Sequence, residues 1–263
     1  DSQMSMLFAG IATLMQTIGM GPIGARLPVM QGTSFAFVPV MIGAAKMGMG
    51  TLFGGIVIGG IFHAILGSFI GKIRHWFPPL VSGIIILAIG IYLIPVGIQY
   101  AAGGAGEFNM SKPTWGGMGN WGLAIIVILV AFGLKFWTKG IISSASVLLG
   151  MIVAYLVAIF MGSVNFSGVE KAAWFALPEP FKYGFDINLT VIIAMCLMSI
   201  VSAIETVGDI SGIAKGGANR EATDKEIQGG TYADGVGTAV AGVFGGLPNT
   251  SFSQNVGLIS MTC

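Results

Sequence analysis

The stretch Leu27-Pro28-Val29-Met30-Gln31-Gly32-Thr33-Ser34-Phe35-Ala36-Phe37 has a counterpart far downstream, Leu247-Pro248-Asn249-Thr250-Ser251-Phe252-Ser253-Gln254-Asn255. Each sets a Leu-Pro pair shortly before Thr-Ser-Phe, and each falls where an apolar run is interrupted. The run from Leu27 to Ala45 carries Pro28, Gly32 and Pro39, so it is not one regular helix, because proline removes a helical hydrogen bond and clashes with the preceding turn. The run from Pro248 onward is broken in the same way. Backbone that leaves the helix within hydrocarbon exposes N–H and C=O groups costing several kcal/mol each when unpaired, so it survives only inside protein or along a wet cavity. Paired interrupted segments in two halves of a chain are the best sequence pointer to a transporter's binding site. An extended piece at Thr33 to Phe37 followed by a half-helix is expected to present backbone donors and a helix N-terminus to a polar ligand. For either segment taken singly, a proline kink without a ligand is the competing reading.

The rest of the chain supplies the membrane that this reading requires. Of 263 residues, 54% are apolar and 9% charged, against roughly 25% charged in a soluble domain, and the charges fall in short clusters between apolar runs of about 17 to 25 residues, the length that spans a bilayer. A soluble globule is excluded, and the expected class is an all-α polytopic membrane protein. Continuous segments are expected at Met4 to Met20, Gly50 to Ile70, Pro78 to Ile98, Trp121 to Trp137, Ile141 to Met161, Ile187 to about Asp209, and a Gly-rich span from Gly230 to Leu247. With the two broken stretches this makes about nine. The 42 glycines suit membrane helices, where small residues permit close backbone approach. A net charge of +1 argues against a nucleic-acid partner. Cys196 and Cys263 make neither a disulfide framework nor a metal cluster. The chain opens at Asp1 without methionine and stops at Cys263 within an unfinished segment, which reads as a piece of something longer.

If the loop with Lys72 and Arg74 is cytoplasmic, alternation puts Arg26, Lys135, Lys139, Lys215, Arg220 and Lys225 on the same side and Lys46, Lys112, Lys171 and Lys182 outside, eight against four, as the positive-inside rule demands. The outer loops, Gln99 to Asn120 and Gly162 to Asp186, read as connectors. Trp76, Trp121 and Trp137 sit at segment ends, where aromatic side chains anchor at the interface.

Three acids fall within or beside apolar runs. Glu205 and Asp209 are one helical turn apart and share a face, and Asp234 opens the next segment. An ionised carboxylate in the bilayer costs at least roughly 2.5 to 3.5 kcal/mol, which makes such groups functional candidates by default; a solvated place at the membrane boundary is the alternative, strongest for Asp209. An intramembrane enzyme would need a nucleophile and base or a metal. The histidines are His63, on an apolar helix, and His75, in a basic loop, and no Gly-x-Ser-x-Gly or HExxH pattern is present. The Gly212 to Gly217 stretch around Lys215 lacks Gly-Lys-Ser/Thr and reads as a flexible cytoplasmic connector. An anion carrier or channel of related architecture is the other competitor, but near the broken segments Arg26 is the lone cation.

The closing residues Gln254-Asn255-Val256-Gly257-Leu258-Ile259-Ser260-Met261-Thr262-Cys263 resemble the signature of the nucleobase-ascorbate transporter family (nucleobase:cation symporter-2): Gln, Glu or Pro, then Asn-x-Gly-x-x-x-x-Thr, then Arg, Lys or Gly. Gln254, Asn255, Gly257 and Thr262 fill the fixed places and Cys263 departs at the last. Gly24-Ala25-Arg26-Leu27-Pro28, Gly32-Thr33-Ser34-Phe35-Ala36-Phe37, Glu205-Thr206-Val207-Gly208-Asp209 and Tyr232-Ala233-Asp234-Gly235 are similar to further landmarks, in family order, so the resemblance covers essentially the whole chain. It implies a fold of two inverted seven-segment repeats, of which this chain resembles segments two to early ten: residues 1–71 in the substrate-binding core, 72–162 in the gate, and 163–263 in the core again.

The resemblance also implies roles. Glu205 would accept N–H bonds from the base. Gln254 stands where Gln accompanies purines and Glu accompanies uracil. Phe37 would stack on the ligand beside Ala36, Ser253 and Asn255 would complete the binding set, and Asp209 and Asp234 would support the site and proton coupling. The implied activity is proton symport importing a purine such as xanthine or uric acid across a bacterial cell membrane; a uracil permease is the alternative within the family. No cofactor beyond the coupling proton is implied. The implied partners are the purine and membrane lipid, with room for a homodimer.

Overall fold

The computed structural model describes residues 2–73, 79–170 and 177–262. Among them the chain forms α1 (Ser2–Ile18), β1 (Gln31–Thr33), a single 3-10 turn (Phe35–Phe37), α2 (Val38–Met47), α3 (Met49–Ile73), α4 (Pro79–Ala101), α5 (Glu107–Met110), α6 (Met118–Trp137), α7 (Ile141–Ser144), α8 (Ser146–Phe160), α9 (Ser167–Glu170), α10 (Leu189–Ala218), α11 (Asp224–Val243), β2 (Asn249–Ser251) and α12 (Gln254–Thr262). Four spans within α3, α4, α6 and α10 are long and apolar enough to cross a membrane, and the helix over Ser146–Phe160 is shorter but equally apolar. The expectation of a helical polytopic membrane protein with two broken segments is met.

The chain divides into two compact units, Asp1–Ile89 with Leu177–Cys263, and Gly90–Ala176. In the first, α3 and α11 make the most extensive helix pair. Gly60 of α3 lies on the backbone of Ala239, and Gly235 of α11 lies on that of Ala64, so a side chain at either would overlap main chain; this is the close approach that small residues permit between membrane helices. One apolar cluster gathers Val29, Val207, Ile210, Ile213, Ile227 and Ile259. A second gathers Phe37, Met41, Phe53, Ile56, Val191 and Met195. In the second unit α6 and α8 pack together, while Leu129, Phe132, Phe136 and Trp137 are exposed, an apolar face suited to lipid.

Local signals fix the helix ends. The Asn188 side chain accepts from the backbone N–H groups of Thr190 and Val191 to start α10, and Asn219 ends it in the left-handed region. Thr223 and Glu226 form a reciprocal capping box at the start of α11.

Several boundaries differ from the sequence reading. Helix α10 continues past Asp209 to Ala218, so Gly212 to Gly217 is helix and not a flexible connector. The reason is packing: Gly212 meets Val256 and Gly217 meets Ile259 of α12, while Ile213 and Ala214 are buried. Helix α11 starts at Asp224, ahead of Gly230. The run from Ile141 to Met161 is split at Ala145 into α7 and α8, and the two connectors hold the short helices α5 and α9. Arg74, His75, Trp76 and Lys171 lie outside the described residues.

Candidate functional site

The two interrupted segments meet. Strands β1 and β2 pair antiparallel, Gln31 opposite Ser251, Gly32 opposite Thr250 and Thr33 opposite Asn249. The pairing extends past the strands, with Ser34 N donating to Pro248 O at 2.8 Å and Phe252 N donating to Met30 O at 3.0 Å. Three-residue strands in a membrane protein are tolerable because each supplies the other's missing backbone partners. The donors freed at Thr33 and Ser34 are therefore largely spent on the opposite strand. Each strand leads into a helical turn, which begins at Phe35 on one side and Gln254 on the other.

Beneath the strands lies Asp234 of α11, with no exposed surface. Its carboxylate accepts from the Gln31 amide and the Thr206 hydroxyl, from Ser251 N at 3.3 Å and from the Ser251 hydroxyl at 3.2 Å. Gln16 of α1 donates to the same carboxylate at 3.4 Å and to Ser251 Oγ at 3.3 Å. One acid thus ties together α1, β1, α10 and β2. Alongside, the Ser202 hydroxyl of α10 meets that of Thr250 at 3.1 Å, and Thr238 of α11 both donates to and accepts from the Asn249 backbone.

Glu205 follows Ser202 by three residues on α10 and is half-buried, whereas Asp209 is 1% exposed. Glu205 and Asp209 are one helical turn apart on α10 and share a face. Asp209 is therefore not at a solvated boundary. It faces the Ser253 hydroxyl, although no hydrogen bond closes between them. Glu205 Oε2, Asp209 Oδ2 and Ser253 Oγ are all buried without a protein partner among the described residues. A buried, unpaired carboxylate oxygen is costly and favours taking up a proton or an N–H donor.

Phe37 does not face an open space. Its ring is 1% exposed and packs in the cluster with Met41, Phe53 and Met195, and Ala36 beside it is also buried. The aromatic that is open is Phe35, 53% exposed. Phe35 and its counterpart in the second copy, Phe252, line the same cavity of about 520 Å³ together with Thr13, Gln31, Gly32 and Thr33. The Phe252 ring lies over Gly32, where any side chain would collide with it. Phe37 is therefore part of the core, and Phe35 and Phe252 are the aromatic pair at the open cavity. The repeat itself carries this signal, since each Phe directly follows Thr-Ser.

Neither Glu205 nor Gln254 is among the residues lining this cavity. Gln254 opens α12 and is exposed. Asn255 is 6% exposed, and its amide donates to the Pro28 carbonyl at 2.5 Å, which ties the two segments together. Gly257 is exposed, with open space around it, and the Thr262 side chain lies outside the described residues.

Comparison with known proteins agrees with this architecture. The family model Xan_ur_permease, described as a permease family, matches residues 2–263. The uric acid transporter UacT of Escherichia coli is 37% identical over 96% of this chain and 52% of its own length. The xanthine permease of Bacillus subtilis is 35% identical over 98% of this chain and 58% of its own. The chain thus spans a little over half the length of these relatives. Among solved structures, the transmembrane domain of the cyanobacterial bicarbonate transporter BicA superposes with a TM-score of 0.62 at 16% identity, covering 98% of this chain and 77% of that one; the likeness is one of fold.

Proposed function

Because this chain belongs to the Xan_ur_permease family of permeases, and so to multi-pass membrane proteins and not to enzymes, we propose that it forms the substrate-holding part of a proton-coupled importer of a purine nucleobase such as xanthine or uric acid. The observation that carries the proposal is the pairing of the two Thr-Ser-Phe segments, which brings Phe35 and Phe252 to one cavity, while α10, the helix that carries Glu205 and Asp209, packs against α12, which Gln254 opens. A purine is flat with an edge of alternating N–H donors and carbonyl acceptors. Two aromatic rings suit its faces; Glu205 and Gln254 do not line the Phe35 and Phe252 cavity, and we take them, as the resemblance implies, as the carboxylate and primary amide that would meet its edge once it is bound. Charge-assisted hydrogen bonds to Glu205 would contribute on the order of 1.5 to 3 kcal/mol each.

Proton coupling would rest on the same acids. Glu205 and Asp209 each bury an oxygen that no protein donor serves, so a proton taken up on one face and released on the other would alternately relieve and restore that cost. Asp234, which accepts from five donor groups, would hold the two segments in register. The cavity-lining residues that are described include no Lys or Arg, which suits a flat heterocycle such as xanthine better than a small inorganic anion.

The test is uptake of labelled xanthine and uric acid by cells or vesicles containing the full-length protein, with uracil and other bases as competitors. Accumulation that collapses when the proton gradient is dissipated, and that purines but not uracil suppress, is the expected result. Uptake indifferent to the gradient would remove the symport reading, and preferential competition by uracil would shift the substrate.

A further inference from the structure

On the face of the first unit rich in Lys and Arg, the loop between α1 and β1 and the first turn of α11 enclose a second cavity of about 400 Å³, lined by Gly21, Pro22, Gly24, Ala25, Arg26, Lys225, Glu226 and Gln228. Its charges are unbalanced. Glu226 is already engaged by Arg220 through two contacts, at 2.5 and 2.9 Å. The Arg26 guanidinium reaches one protein acceptor, the Gly21 carbonyl, at 3.5 Å. Among the described residues Lys225 has no ion-pair or hydrogen-bond partner. Arg26 and Lys225 therefore share one concave site with a single carboxylate, Glu226, which Arg220 already holds.

Arg26 is also held in place. Its backbone is in the left-handed region, φ 57°, an uncommon conformation for a residue with a side chain. Its N–H donates to the Gln16 carbonyl at 2.9 Å, and its side chain lies across Gly19, where a Cβ would stand 2.7 Å from both Cγ and Nε. Gly24 N donates to Gly229 O at 2.7 Å, which pins the loop to α11. A guanidinium fork, an ammonium and the Gln228 amide in one cavity wall supply the donors that phosphate oxygens accept.

We propose that this cavity binds a phosphate group, presented by an anionic lipid headgroup or by a soluble phosphate. Both sources occur at the face to which the positive-inside rule assigns Arg26 and Lys225. The site is separate from the cavity at Phe35 and Phe252, and the proposal does not depend on which base is carried. It is wired toward the paired strands: Gln16 Oε1 accepts from Ala25 N at 3.1 Å, while its Nε2 meets Ser251 Oγ and Asp234. A ligand that stiffens the Arg26 loop would also stiffen the support of the strands.

The test uses the full-length purified protein. Phosphatidylglycerol is titrated into detergent micelles, and inorganic phosphate is titrated separately, each compared between wild type, Arg26→Gln/Lys225→Gln, Arg26→Lys and Lys225→Gln. Saturable binding of phosphatidylglycerol that weakens roughly tenfold or more in the double variant identifies the headgroup, and the same result with inorganic phosphate identifies the soluble source. Arg26→Lys, which keeps the charge, and Lys225→Gln, which leaves the loop intact, should each fall between these limits. The thermal midpoint in detergent serves as the check that each variant is folded. Absence of saturable binding by either probe, or equal binding in wild type and the folded double variant, overturns the proposal. If the double variant does not fold, unchanged binding in Lys225→Gln overturns it in the same way.

Discussion

The Asn255 amide donates to the Pro28 carbonyl at 2.5 Å, joining the first turn of α12 to the Leu-Pro step that opens the other broken segment. Pro28 lies in the loop between α1 and β1, outside any helix or strand that would pair its carbonyl. Asn255 supplies the partner. Replacing it with Ala leaves that carbonyl unpaired, at a cost of about 1 to 3 kcal/mol. We expect Asn255→Ala to lower the thermal midpoint of the full-length protein in detergent and to slow transport of all substrates alike. A changed substrate profile at unchanged stability would assign Asn255 to the ligand instead.

The aromatic assignment separates cleanly by experiment. Phe37→Ala empties a buried site between Met41 and Met195 and should cost roughly 3 to 5 kcal/mol of stability, lowering the amount of folded protein. Phe35→Ala removes a ring already half exposed; folding should persist while purine binding falls at least roughly tenfold, as loss of a stacking face implies. Equilibrium binding and thermal unfolding, measured on both variants, check this. A stable Phe37→Ala with lost binding would reverse the assignment.

Asp234 serves five donor groups from four elements. Asp234→Asn turns one acceptor oxygen into a donor that faces other donors, so a loss of about 1 to 3 kcal/mol or more is expected. Because Ser251 and Thr206 act through the same carboxylate, Ser251→Ala combined with Asp234→Asn should destabilise by less than the sum of the two single changes. Additive effects in unfolding measurements would show that the network is not one unit.

Glu205→Gln retains shape and removes the charge. Labelled xanthine accumulation should be abolished while expression and thermal stability are kept, because the carboxylate has no protein donor to lose at Oε2. Full uptake by this variant would take Glu205 out of the mechanism. Gln254→Glu should weaken purine uptake and admit uracil; an unaltered competition profile would count against Gln254 as a specificity residue.

The broken segments were legible in sequence because proline and glycine interrupt apolar runs there, and the repeated Thr-Ser-Phe implied that the two would correspond. Their antiparallel register was not legible, nor were the partners of Asp234: Gln16, Gln31, Thr206 and Ser251 are ordinary polar residues until the fold brings them within reach. The resemblance implies a stacking role for Phe37, but the 3-10 turn over Phe35–Phe37 sends its ring into the core and leaves Phe35 open. Glycines such as those at 212 and 217 read as a loop by composition, yet they sit where α10 must lie close to Val256 and Ile259. In each case tertiary packing decided between two locally acceptable states.

The entry to α11 gives a pH test away from the membrane core. Glu226 accepts from Arg220, from Thr223 N at 2.8 Å and from the Thr223 hydroxyl at 2.9 Å, and the Arg220 guanidinium chiefly holds its carboxyl down at about 2, against an ordinary 4.5. A carboxylate depressed in the folded state contributes stability that is complete above its unfolded value and is lost as pH falls toward the folded one. Protection of the first-turn amides of α11 against hydrogen exchange should therefore be constant from pH 5 to 8 and decline between about pH 4.5 and 2. Glu226→Gln should lower that protection at pH 7 and flatten its decline in acid. A wild-type profile unchanged down to pH 2, or a variant indistinguishable from wild type at pH 7, would mean that the capping box and ion pair do not hold this helix start.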